Sequence, residues 1–309
     1  MTASVLIPLL VTVVNSATPL LLAALGELVV ERSGVLNLGI EGMMLVGAVC
    51  AFATMTLTGS DTLAVLAGAA AGAALSLVFG VLTLTLVANQ VATGLALTIF
   101  GIGLSALIGK GFTGHPVPAL PRLSLHGVSD LPVAGALLFR YDALVYFGLL
   151  MTPAIAWFLA RSRAGLILRA VGEADLSAHS IGYDVIRIRY LAVLFGGAMS
   201  GLGGAYLSLA YTPLWVEDMT AGRGWIALAL VVFAAWRPWR VLAGAWLFGG
   251  VTVLQLFLQG SGRLPVPSQV LAMVPYLATI IVLTIMSSGA LRGRLEAPAC
   301  LGKPFRPAS

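Results

Sequence analysis

The sequence predicts an all-α fold, a polytopic transmembrane helical bundle of about 8–10 spans with interrupted helices. Three observations predict it. Of 309 residues, 59% are hydrophobic and only 9% charged, and the mean hydropathy is +1.01. Soluble domains carry about a quarter charged residues. The few charges fall in short islands between apolar runs long enough to cross about 30 Å of hydrocarbon. One carboxylate, Glu41, nevertheless runs straight into an apolar stretch, with no loop-like sequence to return it to water.

The apolar segments, in order, cover residues 4–25, 43–57, 63–88, 91–108, 141–160, 190–209, 225–236, 241–258 and 270–286. The first has no basic region before it and no small-residue cleavage pattern, so it is expected to be a retained span. The segment 225–236 is only about a dozen residues long, too short to cross as a straight helix. Between 161 and 189 lies the longest polar island, with Arg161, Arg163, Arg169, Arg187 and Arg189. The positive-inside rule places it in the cytoplasm. Parity then puts Arg32, Asn89-Gln90, Arg237 with Arg240, and the C-terminal tail on the same side, which collects 12 of the 17 basic residues. The loop 111–140, with Pro116, Pro118, Pro121 and Pro132, falls outside and is too long for a tight turn. After 288 the proline-rich basic tail reads as disordered.

Two segments interrupt the apolar pattern. In Gly34-Val35-Leu36-Asn37-Leu38-Gly39-Ile40-Glu41-Gly42, three glycines flank the charge. An ionisable group at bilayer depth costs on the order of 3 kcal/mol or more, so it faces a bundle interior or a cavity. Glycines that break a helix free backbone groups that only protein can satisfy. Thr220-Ala221-Gly222-Arg223-Gly224-Trp225 opens the short span in the other half of the chain. A pair of interrupted segments in corresponding halves is the sequence pointer to a transport path. Close helix packing is the alternative reading of such glycines. It fits the run from Gly196 to Gly204, and Gly68 with Gly72, better.

The island 161–189 contains a short stretch with helix ends. Glu173 and Asp175 suit the positive N-terminal end of a dipole, Gly182 supplies a stop, and Leu176 with Ile181 offers an apolar surface. Such an element can dock in a groove of a cytosolic partner, or simply connect two spans. Cys50 and Cys300 form no framework, and His115, His126 and His179 lie far apart in loops, so neither metal nor cofactor is expected. The stretch from Gly103 to Gly111 lacks phosphate-loop spacing and has no Ser or Thr after Lys110, so it is not expected to bind a nucleotide. An intramembrane hydrolase would need a Ser/His dyad or paired aspartates at depth, whereas all three histidines lie in loops and Asp184 has no intramembrane aspartate companion.

Several islands together carry a resemblance. These are Gly26-Glu27, the run from Glu31 to Met44, Asn89-Gln90-Val91 with Gly94, Ala170-Val171-Gly172-Glu173, and the run from Gly222 to Ala229. Over nearly the whole chain the sequence resembles permease subunits of bacterial ABC importers. The branch is that of nucleoside and simple-sugar importers served by basic-membrane-protein-type lipoproteins, related to the ribose and branched-chain amino-acid permeases. Ala174-Asp175-Leu176-Ser177 and Ala234-Ala235 depart from the family's usual residues, leaving substrate and partner choice open.

The resemblance implies a permease domain over 1–288, with a cytoplasmic coupling loop at 161–189 and an extracytoplasmic loop at 111–140. A cytoplasmic tail would occupy 289–309. Gly172, Glu173, Asp175, Leu176, Ile181 and Gly182 inherit the ATPase-coupling role, while Asn37, Glu41, Gln90, Gly222, Gly224 and Trp225 are the candidates for the substrate path. The expected function is non-catalytic translocation of a nucleoside or simple sugar across the bacterial cytoplasmic membrane. The expected partners are an ABC ATPase, a second and related permease subunit rather than an identical copy, an extracytoplasmic substrate-binding lipoprotein and membrane lipid, with no nucleic acid polymer. The alternative is a secondary transporter using Glu41 as a proton or cation site.

Overall fold

Small residues decide where the long helices of this chain touch, and caps decide where they stop. The computed structural model describes residues 3–123, 139–261 and 297–306, with scattered positions from 267 to 284. Its helices are α1 (Ala3–Arg32), α2 (Ile40–Thr58), α3 (Asp61–Gly80), α4 (Gln90–Gly109), α5 (Ala143–Arg161), α6 (Arg163–Glu173), α7 (Asp175–Ser180), α8 (Val185–Tyr206), α9 (Arg223–Phe233) and α10 (Pro238–Ser261). α3 and α8 each continue through a π-helical turn, over Val81–Thr85 and Leu207–Tyr211.

Local chemistry explains most boundaries. Ser60, Asn89, Asp142, Ser162 and Asp184 each stand before a helix and accept a hydrogen bond from a first-turn backbone N–H. α2 ends on left-handed Gly59, whose N–H returns to the Met55 carbonyl. α10 opens with Pro238, whose missing N–H would have no helical partner in the first turn.

Seven of the described helices are long and apolar enough to cross a membrane, and α9 is not: its 11 residues reach about 16 Å. The expected ninth span, 270–286, lies largely outside the described residues, as do 124–138 of the long loop. α1 extends beyond the expected 4–25 to Arg32. It can do so because Glu27 and Glu31, which end the hydrophobic pattern, are buried in protein and bonded there.

α8 runs through the middle of the bundle, packed on α1, α2 and α3. Its glycines set that packing. A Cβ on Gly201 would stand 2.2 Å from the Gly68 carbonyl oxygen, and one on Gly204 would stand 1.9 Å from that of Met44. The glycine run 196–204 and Gly68 with Gly72 are therefore packing surfaces, as expected from the sequence.

The arginine-rich end of the bundle gathers the end of α1, the 162–184 segment, the turn after α9 and residues 297–306. The tail does not follow the expectation of disorder over this stretch. Cys300 N–H donates to the Gly172 carbonyl (2.9 Å) and Gly302 N–H to that of Gly34 (3.1 Å). Phe305 is buried against Val171, Ala178 and Val185. Proline and basic content made the segment look unfoldable, but one aromatic side chain finds an apolar pocket that only the fold creates.

Candidate functional site

The two interrupted segments meet. Residues 33–39 leave α1 in non-helical conformation, and α2 resumes at Ile40, so Glu41 sits in its first turn, 3% exposed. The chain from 212 to 222 likewise lies outside a helix and delivers the N-terminus of α9 to the same carboxylate. Glu41 Oε1 accepts from the Thr220 hydroxyl and from Gly222 N–H (2.8 Å), while Oε2 accepts from Gly224 N–H (2.6 Å). One negative charge thus stands at the positive ends of two helix dipoles and satisfies donors that the broken helix would otherwise leave bare. Gly222 supplies the turn, with φ of +81°, and Gly224 the approach, since a Cβ there would lie 2.6 Å from Glu41 Cα.

Asn37 and Gln90 hold the first break from its other side. Asn37 Oδ1 accepts from Gly39 N–H (2.9 Å), and Gln90 Oε1 accepts from Leu36 N–H (2.8 Å). Both side chains are buried. The structure therefore brings Glu41, Gly222 and Gly224 into direct contact and places Asn37 and Gln90 along the 33–39 backbone. Trp225 follows Gly224 and stays half-buried. On α9, residues 225, 228, 229 and 232 form a partly buried stripe, while Gly224, Ala227, Leu230 and Val231 are fully buried. In this conformation both Glu41 oxygens, Asn37 Oδ1 and Gln90 Oε1 accept from backbone or side-chain donors of the protein, while Leu228, Ala229 and Val232 of the stripe pack in part against the core.

The coupling candidates separate into two faces. Leu176 (59% exposed) and Ile181 (73%) project outward on and after α7, with Glu173 and Gly182 also exposed. Gly172 points inward, where a Cβ would meet the Arg32 carbonyl at 2.2 Å. Asp175 turns in as well and pairs with the fully buried Arg189 at 3.1 Å. Arg189 Nε also donates to the Ser33 carbonyl, and its guanidinium lies over the Phe305 ring. The exposed patch is thus anchored to the turn that begins the first break. Left-handed Gly34 (φ +89°) forms that turn.

Sequence reasoning did not single out Glu27, Glu31, Arg189, Thr220, Trp236 or Phe305 as site residues. Glu27 Oε1 accepts from Asn37 N–H (3.2 Å), and Glu31 Oε2 accepts from the Trp236 indole N–H. The signal for the two glutamates was present: they stand four apart, on one helical face, at the end of an apolar run. Among the described residues, no group of three or more His, Cys, Asp and Glu could hold a metal ion.

Residues 9–286 match the family described as branched-chain amino acid transport system, permease component. Among its relatives is TsgC13 of Haloferax volcanii, named provisionally as a glucose ABC transporter permease protein. It is 43% identical over 95% of each chain. The guanosine ABC transporter permease protein NupQ of Bacillus subtilis is 32% identical over 94% of this chain and 93% of its own. The nucleoside ABC transporter permease protein NupC of Lactococcus lactis is 32% identical over 91% and 92%.

Proposed function

Because this chain belongs to the branched-chain amino acid transport system permease component family, and is thereby a multi-pass membrane permease of an ABC importer, we propose that its substrate is a nucleoside or simple sugar. As a permease it catalyses no reaction. An ATPase subunit hydrolyses the nucleotide, and a substrate-binding protein serves the importer. The names of three relatives, spanning glucose, guanosine and nucleosides, support the substrate class.

The arginine-rich end faces the cytoplasm, with the coupling loop at 161–189, while 111–140 is extracytoplasmic. The binding protein is a lipoprotein, and a second, related permease completes the pore. The carrying observation for the path is the meeting of the two helix breaks at Glu41. Substrate passes along the α9 stripe that Trp225 begins, with the Trp225 ring offering a face to a base or sugar. Asn37, Glu41, Gln90, Gly222 and Gly224 keep the breaks that position this stripe. Glu173, Leu176, Ile181 and Gly182 present the coupling surface to the ATPase, backed by Gly172 and Asp175. A secondary transporter with Glu41 as proton site is set aside by family membership, and the Glu41 oxygens are already taken by three donors.

The test is ATP-driven uptake by the reconstituted importer, with radiolabelled guanosine, glucose and leucine as probes. Accumulation of guanosine or glucose is expected. Uptake of leucine alone would refute the substrate class.

A further inference from the structure

α9 is tied at both ends, and the second tie has no part in the reading above. Its N-terminal end is held by Glu41 of α2. At its other end, Trp236 donates its indole N–H to Glu31 of α1, and Arg32 Nη2 donates to the Trp236 carbonyl (3.4 Å). Each corner contains two non-glycine residues with left-handed backbone. Asp218 (φ 55°) and Ala221 (47°) precede α9, and Ala235 (49°) and Trp236 (54°) follow it. Alanine and tryptophan adopt this region only where the surroundings impose it, and such residues cluster at switch regions. Between the corners lies a stiff half-length rod packed on α1, α2 and α10.

The Glu31–Trp236 contact differs from a finished structural bond in one respect. Glu31 is fully buried, yet its Oε1 has no hydrogen-bond partner among the described residues. Buried carboxylate oxygens are almost always satisfied.

We propose that α9 is the moving gate of the permease and that Glu31 and Trp236 form the latch that positions its cytoplasmic end. The two ends are tethered to different helices, so α9 cannot rock without loosening one tie. Glu31 and Trp236 are positioning residues: they set where the Trp225 stripe stands and need not touch substrate. This inference rests on the path proposed above.

The experiment uses the whole importer in proteoliposomes, with guanosine and glucose as probes. Trp236→Phe keeps an aromatic ring and removes the donor, and Glu31→Met removes the acceptor. Each variant is expected to assemble and hydrolyse ATP at a rate comparable to the parent, while uptake per ATP falls at least tenfold. The double variant should be no worse than either single one. Parental uptake per ATP in Trp236→Phe, or single effects that multiply in the double variant, would overturn the latch. A second measurement needs neither variant nor substrate: amide hydrogen exchange of the unaltered complex with and without vanadate-trapped ATPase. Exchange at residues 234–237 must differ between the two states, and identical exchange would overturn the proposal. Failure of the parent to take up either probe would strike the substrate class instead, leaving the exchange result to decide the gate.

Discussion

Removing the Glu41 carboxylate should destabilise the junction of the two breaks far more than a surface charge could. In Glu41→Ala, Gly222 N–H and Gly224 N–H lose their acceptor in a site that is 3% exposed at Glu41. The buried Gly224 N–H left bare costs about 1–3 kcal/mol and the part-buried Gly222 N–H less, giving roughly 2–4 kcal/mol for the pair. The Thr220 hydroxyl, fully buried, loses its carboxylate acceptor as well and adds to this loss. At about 2–4 °C per kcal/mol, the detergent-solubilised permease should melt at least roughly 4 °C lower. The assay is the loss of monodisperse protein on heating, followed by size-exclusion chromatography, alongside uptake at a temperature where the variant remains folded. Glu41→Gln should fall between, since it keeps one acceptor oxygen and points an amide at a donor. A Glu41→Ala permease that melts and transports like the parent would refute the assignment of Glu41 to the α9 terminus.

Gly224→Ala should lose uptake as severely as Glu41→Ala, because its Cβ would fall 2.6 Å from Glu41 Cα, whereas Gly103→Ala, with nothing within 4 Å, should transport normally; parallel uptake assays check both. Deleting 173–182, or replacing exposed Leu176 or Ile181 by Arg, should abolish ATP-driven uptake while leaving the permease in the membrane, and unchanged uptake would remove the coupling assignment. Phe305→Ala should strip a buried ring from Val171, Ala178 and Val185, a loss of about 3–5 kcal/mol for a core aromatic. Its signature is faster proteolysis of the segment from 297 onward, with transport reduced through the loosened coupling loop.

Much of the architecture was written in local patterns. Apolar runs gave the long spans, and Gly34, Gly222 and Gly224 marked the breaks by being residues no continuous helix needs. Of the end signals of the 175–180 helix, Asp175 does open it and left-handed Gly182 follows it, whereas Glu173 closes the preceding helix instead of standing at an N-terminal end. Legibility failed where a partner was distant. α1 was cut short at 25 because Glu27 and Glu31 look like the edge of a membrane span until Asn37 and Trp236 are seen to bond them. Asp175 carries the signal of a helix N-terminal residue, but nothing near it in sequence shows that its side chain turns inward to Arg189. The tail looked disordered because its pocket is assembled from three other segments.

The sequence by itself determined that the chain crosses a membrane many times, where its helices break, and that a carboxylate stands at one break. Those are properties of composition and of spacing within a few residues, and hydrocarbon enforces them on any fold. Only the tertiary structure decided what the carboxylate does there. The donors that occupy Glu41 come from residues 179 to 183 positions away, and the donor on Glu31 from 205. Bonds of that range have no local signature. They exist because glycine faces let the helices approach closely enough to carry α9 against α1 and α2.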